Sequence, residues 1–266
     1  MVKDGESLSL GAHTLTFVFA PMVHWPEVMV SYESTEKVLF SADGFGRFGA
    51  VAKFDEKADW ASEARRYYLN IVGKYGPQVQ ALLKKAAALD IQTICPLHGP
   101  VLQGDLAPYL RLYNTWSSYQ PEARGVFIAY ASIYGNTKAA ALLLAEELKS
   151  RGVTVEIADL SRTDLAQAVA KAFQYSQMVC AAPSYDGGVF PVMADFLHHL
   201  KSKSYQNRTV ALIENGSWAP SAARTMTAQL EEMKAITLLS GTVTVRAALK
   251  DADRTALAAL ADALAQ

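Results

Sequence analysis

The first fifty residues carry short β-prone apolar runs. "SLSL", "TLTFVFA", "VMVSYE" and "KVLFSA" are broken or flanked by the turn material "DG", "GA" and "ESTE". The pattern then becomes helical. Trp60, Ala64, Tyr67, Tyr68 and Ile71 recur at helix spacing in "DWASEARRYYLNIVGKYG", with Asp59 as a candidate N-cap. "PQVQALLKKAAAL" and "LAPYLRLYNTWSSY" read as two further helices. Between them, "DIQTICPLHGP" is a short strand ending in a loop bounded by Pro and Gly.

At "QPEARG" the pattern changes again. Five apolar strands ("GVFIAYAS", "VTVEIADL", "QMVCAAP", "RTVALIE" and "AITLLSGTVTV") alternate with five helices. Strict alternation predicts an α/β domain with a five-stranded parallel sheet covered on both faces. The expected domains are residues 1–120 and 124–266.

Composition narrows the function classes. The chain has 266 residues, about half apolar and a fifth charged, with a formal net charge of −1. Such a balance gives no field that would draw it to nucleic acid or an anionic membrane. No apolar run approaches the roughly 20 residues of a membrane span. Cys95 and Cys180 each lie in an apolar strand-like run and read as buried free thiols of a cytoplasmic protein. Two cysteines exclude a four-cysteine metal centre within the chain.

Ligands of alternating α/β sheets bind beyond the C-terminal ends of the strands. Three strand ends here carry unusual loops. "SIYGNT" offers Ser132, Asn136 and Thr137 as side-chain donors, and free amides at a helix N-terminus whose dipole favours an anion. It is neither a GxGxxG fingerprint nor a P-loop. The alternative is a plain helix cap by Asn136 or Thr137. "APSYDGG" and "NGSW" each set one aromatic, Tyr185 or Trp218, beside permissive glycine. Singly these aromatics read as packing residues. Together, at three strand ends, they suit a flat ring with a phosphate tail.

These loops resemble those of flavodoxins. The resemblance implies FMN, with its phosphate on Ser132, Ile133, Tyr134, Gly135, Asn136 and Thr137. Its ring would meet Pro183, Ser184, Tyr185, Asp186 and Gly187 on one side and Asn215, Gly216, Ser217 and Trp218 on the other. "NGSWAP" departs from the family's GSxGW form, since Trp218 directly follows Ser217.

In the first domain, His24, Asp43 and His98 each follow a β-prone run. Imidazole and carboxylate suit iron, zinc or manganese, and a carboxylate can bridge two ions. Taken alone, a histidine is more often packed or exposed than ligating, and Asp43-Gly44 is simply a turn. "APMVHWPEVMVSYESTEKVLFSADGFG" and "ICPLHGP" resemble the flavodiiron proteins, a branch of the metallo-β-lactamase fold fused to flavodoxin. The resemblance implies a diiron centre with His24 on one iron, Asp43 bridging and His98 on the other. The family's HxExDH ligands do not occur in this sequence. The expectation is therefore a chain that begins midway through the αββα metal domain. It would carry an incomplete ligand set and an exposed apolar sheet surface awaiting a missing N-terminal half.

The resemblance also implies an oxidoreductase that reduces dioxygen to water or nitric oxide to nitrous oxide. It implies a head-to-tail homodimer supplied by a rubredoxin or a flavin reductase. An FMN electron carrier with a non-catalytic metal domain is the alternative. A zinc-dependent hydrolase is a third reading, which leaves the flavin domain without a role.

Overall fold

The β-prone runs of the first fifty residues pair in sequence order. In the computed structural model, which describes residues 1–50 and 59–266, β1 (Ser7–Ser9), β2 (Thr14–Phe19), β3 (Met29–Glu33) and β4 (Val38–Phe40) are antiparallel neighbours. β5 (Thr93–Cys95) joins β4 in parallel, and β6 (Leu102–Gln103) pairs antiparallel with β5. β6 was not anticipated, because two residues carry no readable period.

Alternation decides what each face of this sheet does. Val30, Leu39, Ile94 and Leu102 are buried, and α2 (Gly76–Ala86) and α3 (Ala107–Ser117) contribute to the apolar layer over Leu39 and Ile94. On the other face Phe19 stands opposite Met29, and Phe40 opposite Cys95. Phe19, Met29 and Phe40 are exposed, so the expected apolar sheet surface is present. Cys95 on this face is only half-buried, which corrects its reading as a buried thiol; Cys180 is fully buried, and both are free.

α1 (Trp60–Ile71) starts where the sequence signals it, with Asp59 Oδ1 accepting from the Ala61 amide at 2.9 Å. The single periodic run then breaks at a short 3₁₀ turn, Gly73–Tyr75, before α2 begins. The close approach at Gly76 accounts for the glycine there: a Cβ would lie 2.4 Å from the Ser117 carbonyl oxygen. Tyr68, Tyr113 and Trp116 fill the core between α1 and α3.

The chain divides into two compact units, Met1–Gln120 and Pro121–Gln266. In the second, β7 (Ala123–Tyr130), β8 (Val155–Asp159), β9 (Tyr175–Tyr185), β11 (Arg208–Asn215) and β12 (Ile236–Leu238) form a parallel sheet in the order β8-β7-β9-β11-β12. Helices α4 (Asn136–Ser150), α5 (Leu165–Gln174), α6 (Pro191–Ser202), α7 (Ala222–Glu231) and α8 (Asp251–Leu264) cover it. α4 and α8 pack on Val126, Ile128, Val179 and Ile213, while Phe196 of α6 meets Phe127 edge-on. This is a flavodoxin-like doubly wound sheet.

Two details differ from the five-strand expectation. The last apolar run splits at Gly241 (φ +92°) into β12 and β13 (Val243–Val245), and both pair with β11. The second loop is itself a hairpin: β10 (Gly188–Val189) folds back on β9 through Asp186 and Gly187, both at positive φ. Asp-Gly is the sequence signature of such a two-residue turn.

Candidate functional site

β7 delivers the first loop, and Gly135 turns it into α4 from a left-handed conformation (φ +87°). Gly135 occupies the cap position, so the cap by Asn136 or Thr137 is set aside. Ser132 Oγ accepts from the Gly135 amide at 3.1 Å and shapes the turn. Among the described residues nothing accepts from the first amides of α4, which face the loop with the positive end of the helix dipole. Thr137 is buried beneath them, while Ile133 and Tyr134 are exposed.

The three loops enclose one cavity of about 490 Å³, a size usual for a small-molecule site. Of the fifteen residues expected there, every one except Gly135 lines it. Trp218 is 89% exposed and Tyr185 44%, far from the burial of packing residues. Their rings are available to a planar ligand.

Two expected residues have side chains that are already engaged. Ser184 Oγ accepts from the Ser221 amide at 2.8 Å and the Ala222 amide at 3.2 Å, so it caps α7. The Asn215 amide group pairs with the backbone of Ala247. Gly216 is tight for the same reason: a Cβ there would lie 3.0 Å from Ser184 Oγ and 2.9 Å from Pro220 Cα.

In the first unit, His24, Asp43 and His98 come together from the loops after β2, β4 and β5. Asp43 Oδ2 lies 3.3 Å from His24 Nε2, and Asp43 Oδ1 lies 3.4 Å from His98 Nε2. Each carboxylate oxygen thus faces a different imidazole. Positive φ values at Met22, Ala42 and Phe45 mark the two loops that carry His24 and Asp43, backbone conformations held only where the surroundings enforce them. α3 enforces one of them, since Tyr113 stacks on Phe45 at 4.2 Å and its hydroxyl accepts from the Phe45 amide at 2.5 Å.

Tyr67 and Arg47 join His24 and His98 in lining a second cavity of about 540 Å³. Burial pushes the Tyr67 phenol well above its usual range, and the Asp43 carboxylate, to which it hydrogen-bonds, adds to the shift. Tyr67 therefore stays a neutral hydrogen-bond donor. Among the described residues, no three His, Cys, Asp or Glu side chains converge on a single point. That agrees with the pairwise geometry, which is one carboxylate shared between two separate imidazoles.

Comparison with known proteins follows the two units. The ODP family beta lactamase matches residues 1–99, and the flavodoxin family matches residues 128–259. The rubredoxin-oxygen oxidoreductase of Megalodesulfovibrio gigas is 29% identical over 88% of this chain and 60% of its own length. The nitric oxide reductase of Moorella thermoacetica is 28% identical over the same shares. The solved rubredoxin oxygen:oxidoreductase from Desulfovibrio gigas superposes with a TM-score of 0.90 at 28% identity, covering 99% of this chain and 67% of that one. Both units are similar to those of flavodiiron proteins. The chain spans about half to three fifths of the length of the first curated relatives it matches.

The sequence motifs missed Ala219, Ser221 and Ala247 in the first cavity. The first two simply extend the third loop. Ala247 follows β13, and no motif flags an alanine. Tyr67 was read as one face of a helix, with nothing in its spacing to mark contact with Asp43. His198 and His199 lie on α6, in the other unit from the Asp43 cluster.

Proposed function

We propose that this chain is the flavin- and bridge-bearing part of a flavodiiron-type oxidoreductase that reduces dioxygen to water, nitric oxide to nitrous oxide, or both. The observation that carries this reading is the Asp43 carboxylate, held with one oxygen toward His24 and the other toward His98. Donors about 2.1 Å from a shared ion stand about 3.0 to 3.4 Å apart, so both N···O separations suit a metal between the pair. The donor set fits the bridging half of a two-iron centre with one imidazole on each side. The coordination positions left over would be open to gas, water or further donors.

FMN fits the second unit on separate grounds. The unaccompanied amides of α4, with Ser132, Asn136 and Thr137 beside them, suit a monophosphate, and exposed Tyr185 and Trp218 suit the ring. FMN, when bound, supplies one-electron transfer, and the iron pair supplies the reducing centre for the gas. The chain's own part is to grip the phosphate, orient the ring and hold Asp43 between the two imidazoles. Tyr67 would present a neutral hydroxyl to that carboxylate.

The full assembly is a head-to-tail homodimer in the cytoplasm that receives electrons from a rubredoxin or a flavin reductase. Among the described residues no helix is long and apolar enough to cross a membrane. A second reading, an FMN electron carrier, is favoured by the absence of three convergent ligands among those residues. One preparation separates the two. Flavin absorbance with bound iron and gas turnover supports the enzyme. FMN without metal or turnover supports the carrier. No flavin after reconstitution sinks both.

A further inference from the structure

Loops built for a ligand are normally read from the strand ends that carry motifs, and three such loops account for the first cavity so far. A fourth segment, residues 246–250 after β13, also reaches it through Ala247. That residue sits at φ +64°, a conformation that a non-glycine residue holds only under constraint. The constraint is visible. Asn215 Nδ2 donates to the Ala247 carbonyl oxygen at 2.9 Å, and the Ala247 amide donates to Asn215 Oδ1 at 3.2 Å. One side-chain amide thus satisfies both backbone polar groups of Ala247. What Ala247 has left to offer the cavity is apolar surface.

Asn215 is itself held. It ends β11 in register with Val245, and the next amide, that of Gly216, donates to the Val245 carbonyl oxygen at 3.0 Å. Its neighbour Glu214 is a buried carboxylate whose two oxygens are both used. Oε1 accepts from Thr244 Oγ1 and Oε2 from the Ala223 amide, each at 2.9 Å. Glu214 therefore ties β13 to the first turn of α7, and Asn215 ties the segment after β13 to the third loop.

We propose that residues 246–250 form a fourth wall of the flavin site, and that Asn215 is the positioning residue that fastens this wall against the ring. The proposal rests on the FMN reading above. It reassigns Asn215 from a cofactor donor to a latch. The ring, and not the phosphate, is the part of the cofactor that depends on it.

The test compares two flavins that differ only in the phosphate. Ligand-free chain is titrated with FMN and with riboflavin, for the parent, Asn215→Ala, Asn215→Asp and Thr137→Ala. Asn215→Ala should weaken both flavins by the same factor, about tenfold, the loss expected when two neutral hydrogen bonds give way. The visible circular dichroism of bound flavin should change with it. Thr137→Ala should weaken FMN alone. Asn215→Asp keeps the acceptor for the Ala247 amide and loses the donor, so it should weaken both flavins as well; it carries the test if the alanine variant does not fold. Unchanged affinities in the Asn215 variants, or a loss confined to FMN, would overturn the latch. A lower melting temperature of the ligand-free chain with unaltered flavin dichroism would reduce Asn215 to a structural role and overturn it too. A parent chain that binds neither flavin would sink the FMN reading itself.

Discussion

Asp43 Oδ2 stands 3.3 Å from His24 Nε2, on the opposite oxygen from the one that faces His98. A carboxylate that served one histidine as an orienting partner would leave its other oxygen to water or to an amide. Here both oxygens are aimed at imidazole nitrogens, which is the arrangement a bridging ligand needs. Asp43→Asn keeps the shape and removes one anionic oxygen. It should weaken iron binding by more than about 100-fold, beyond what loss of an outer-shell partner costs, and leave FMN content unchanged. Metal titration followed by elemental analysis checks the first part and flavin absorbance the second. Equal loss of both would make Asp43 a folding residue.

Thr137 lies buried under the first loop at the start of α4. A hydrogen bond to a charged group contributes about 1.5 to 3 kcal/mol, so Thr137→Ala should raise the FMN dissociation constant about 10- to 100-fold. Fluorescence quenching of FMN on titration measures it. An unchanged constant would remove Thr137 from the phosphate site.

Tyr113 reaches across the first unit to accept the Phe45 amide, and hydrogen-bonds the Gly46 amide as well. Tyr113→Phe leaves buried amides without a partner, at about 1 to 3 kcal/mol. The first unit should melt earlier by that amount, and metal affinity should fall because the Asp43 loop loses its anchor. The flavin unit should be unaffected. A variant with parent-like melting and metal binding would show that the loop holds its shape unaided.

Much of this was legible beforehand. The pattern changes near residues 119–124, where the chain passes from the first compact unit to the second, and the strand-then-loop rhythm of the second predicts a doubly wound sheet with its cavity at the strand ends. Asp59 was readable as a cap because the signal is local. What stayed hidden depends on long-range contact. β6 is too short to show a period. The split of the last apolar run is set by pairing with β11. Ala247 and Tyr67 are ordinary in sequence and acquire their places through Asn215 and Asp43, partners 32 and 24 positions away. Cys95 was misread because an apolar strand can still have one face uncovered.

Glu33 gives the first unit an acid-sensitive tie. Burial opposes its ionisation, but the Glu36 and Thr35 amides, the Thr35 hydroxyl and His13 outweigh burial, and the carboxyl is drawn from 4.5 to about 2. The amides donate to its two oxygens at 2.6 and 2.8 Å. A lowered folded-state value means that the carboxylate stabilises the fold fully above about pH 4.5 and that this contribution disappears as pH falls toward about 2. Glu33→Gln should lower the melting temperature near neutral pH and flatten its fall between those two values. A variant with the parent's acid profile would place the acid sensitivity elsewhere.

The flavin claim rests on the second unit, where an anion-ready helix end and two exposed aromatic rings enclose one cavity. Its sharpest test is a titration of the metal-free, flavin-free chain with FMN, followed by flavin fluorescence. The account predicts saturable quenching at one FMN per chain. Flavin fluorescence that stays unquenched across the titration, with a folded chain, would contradict it.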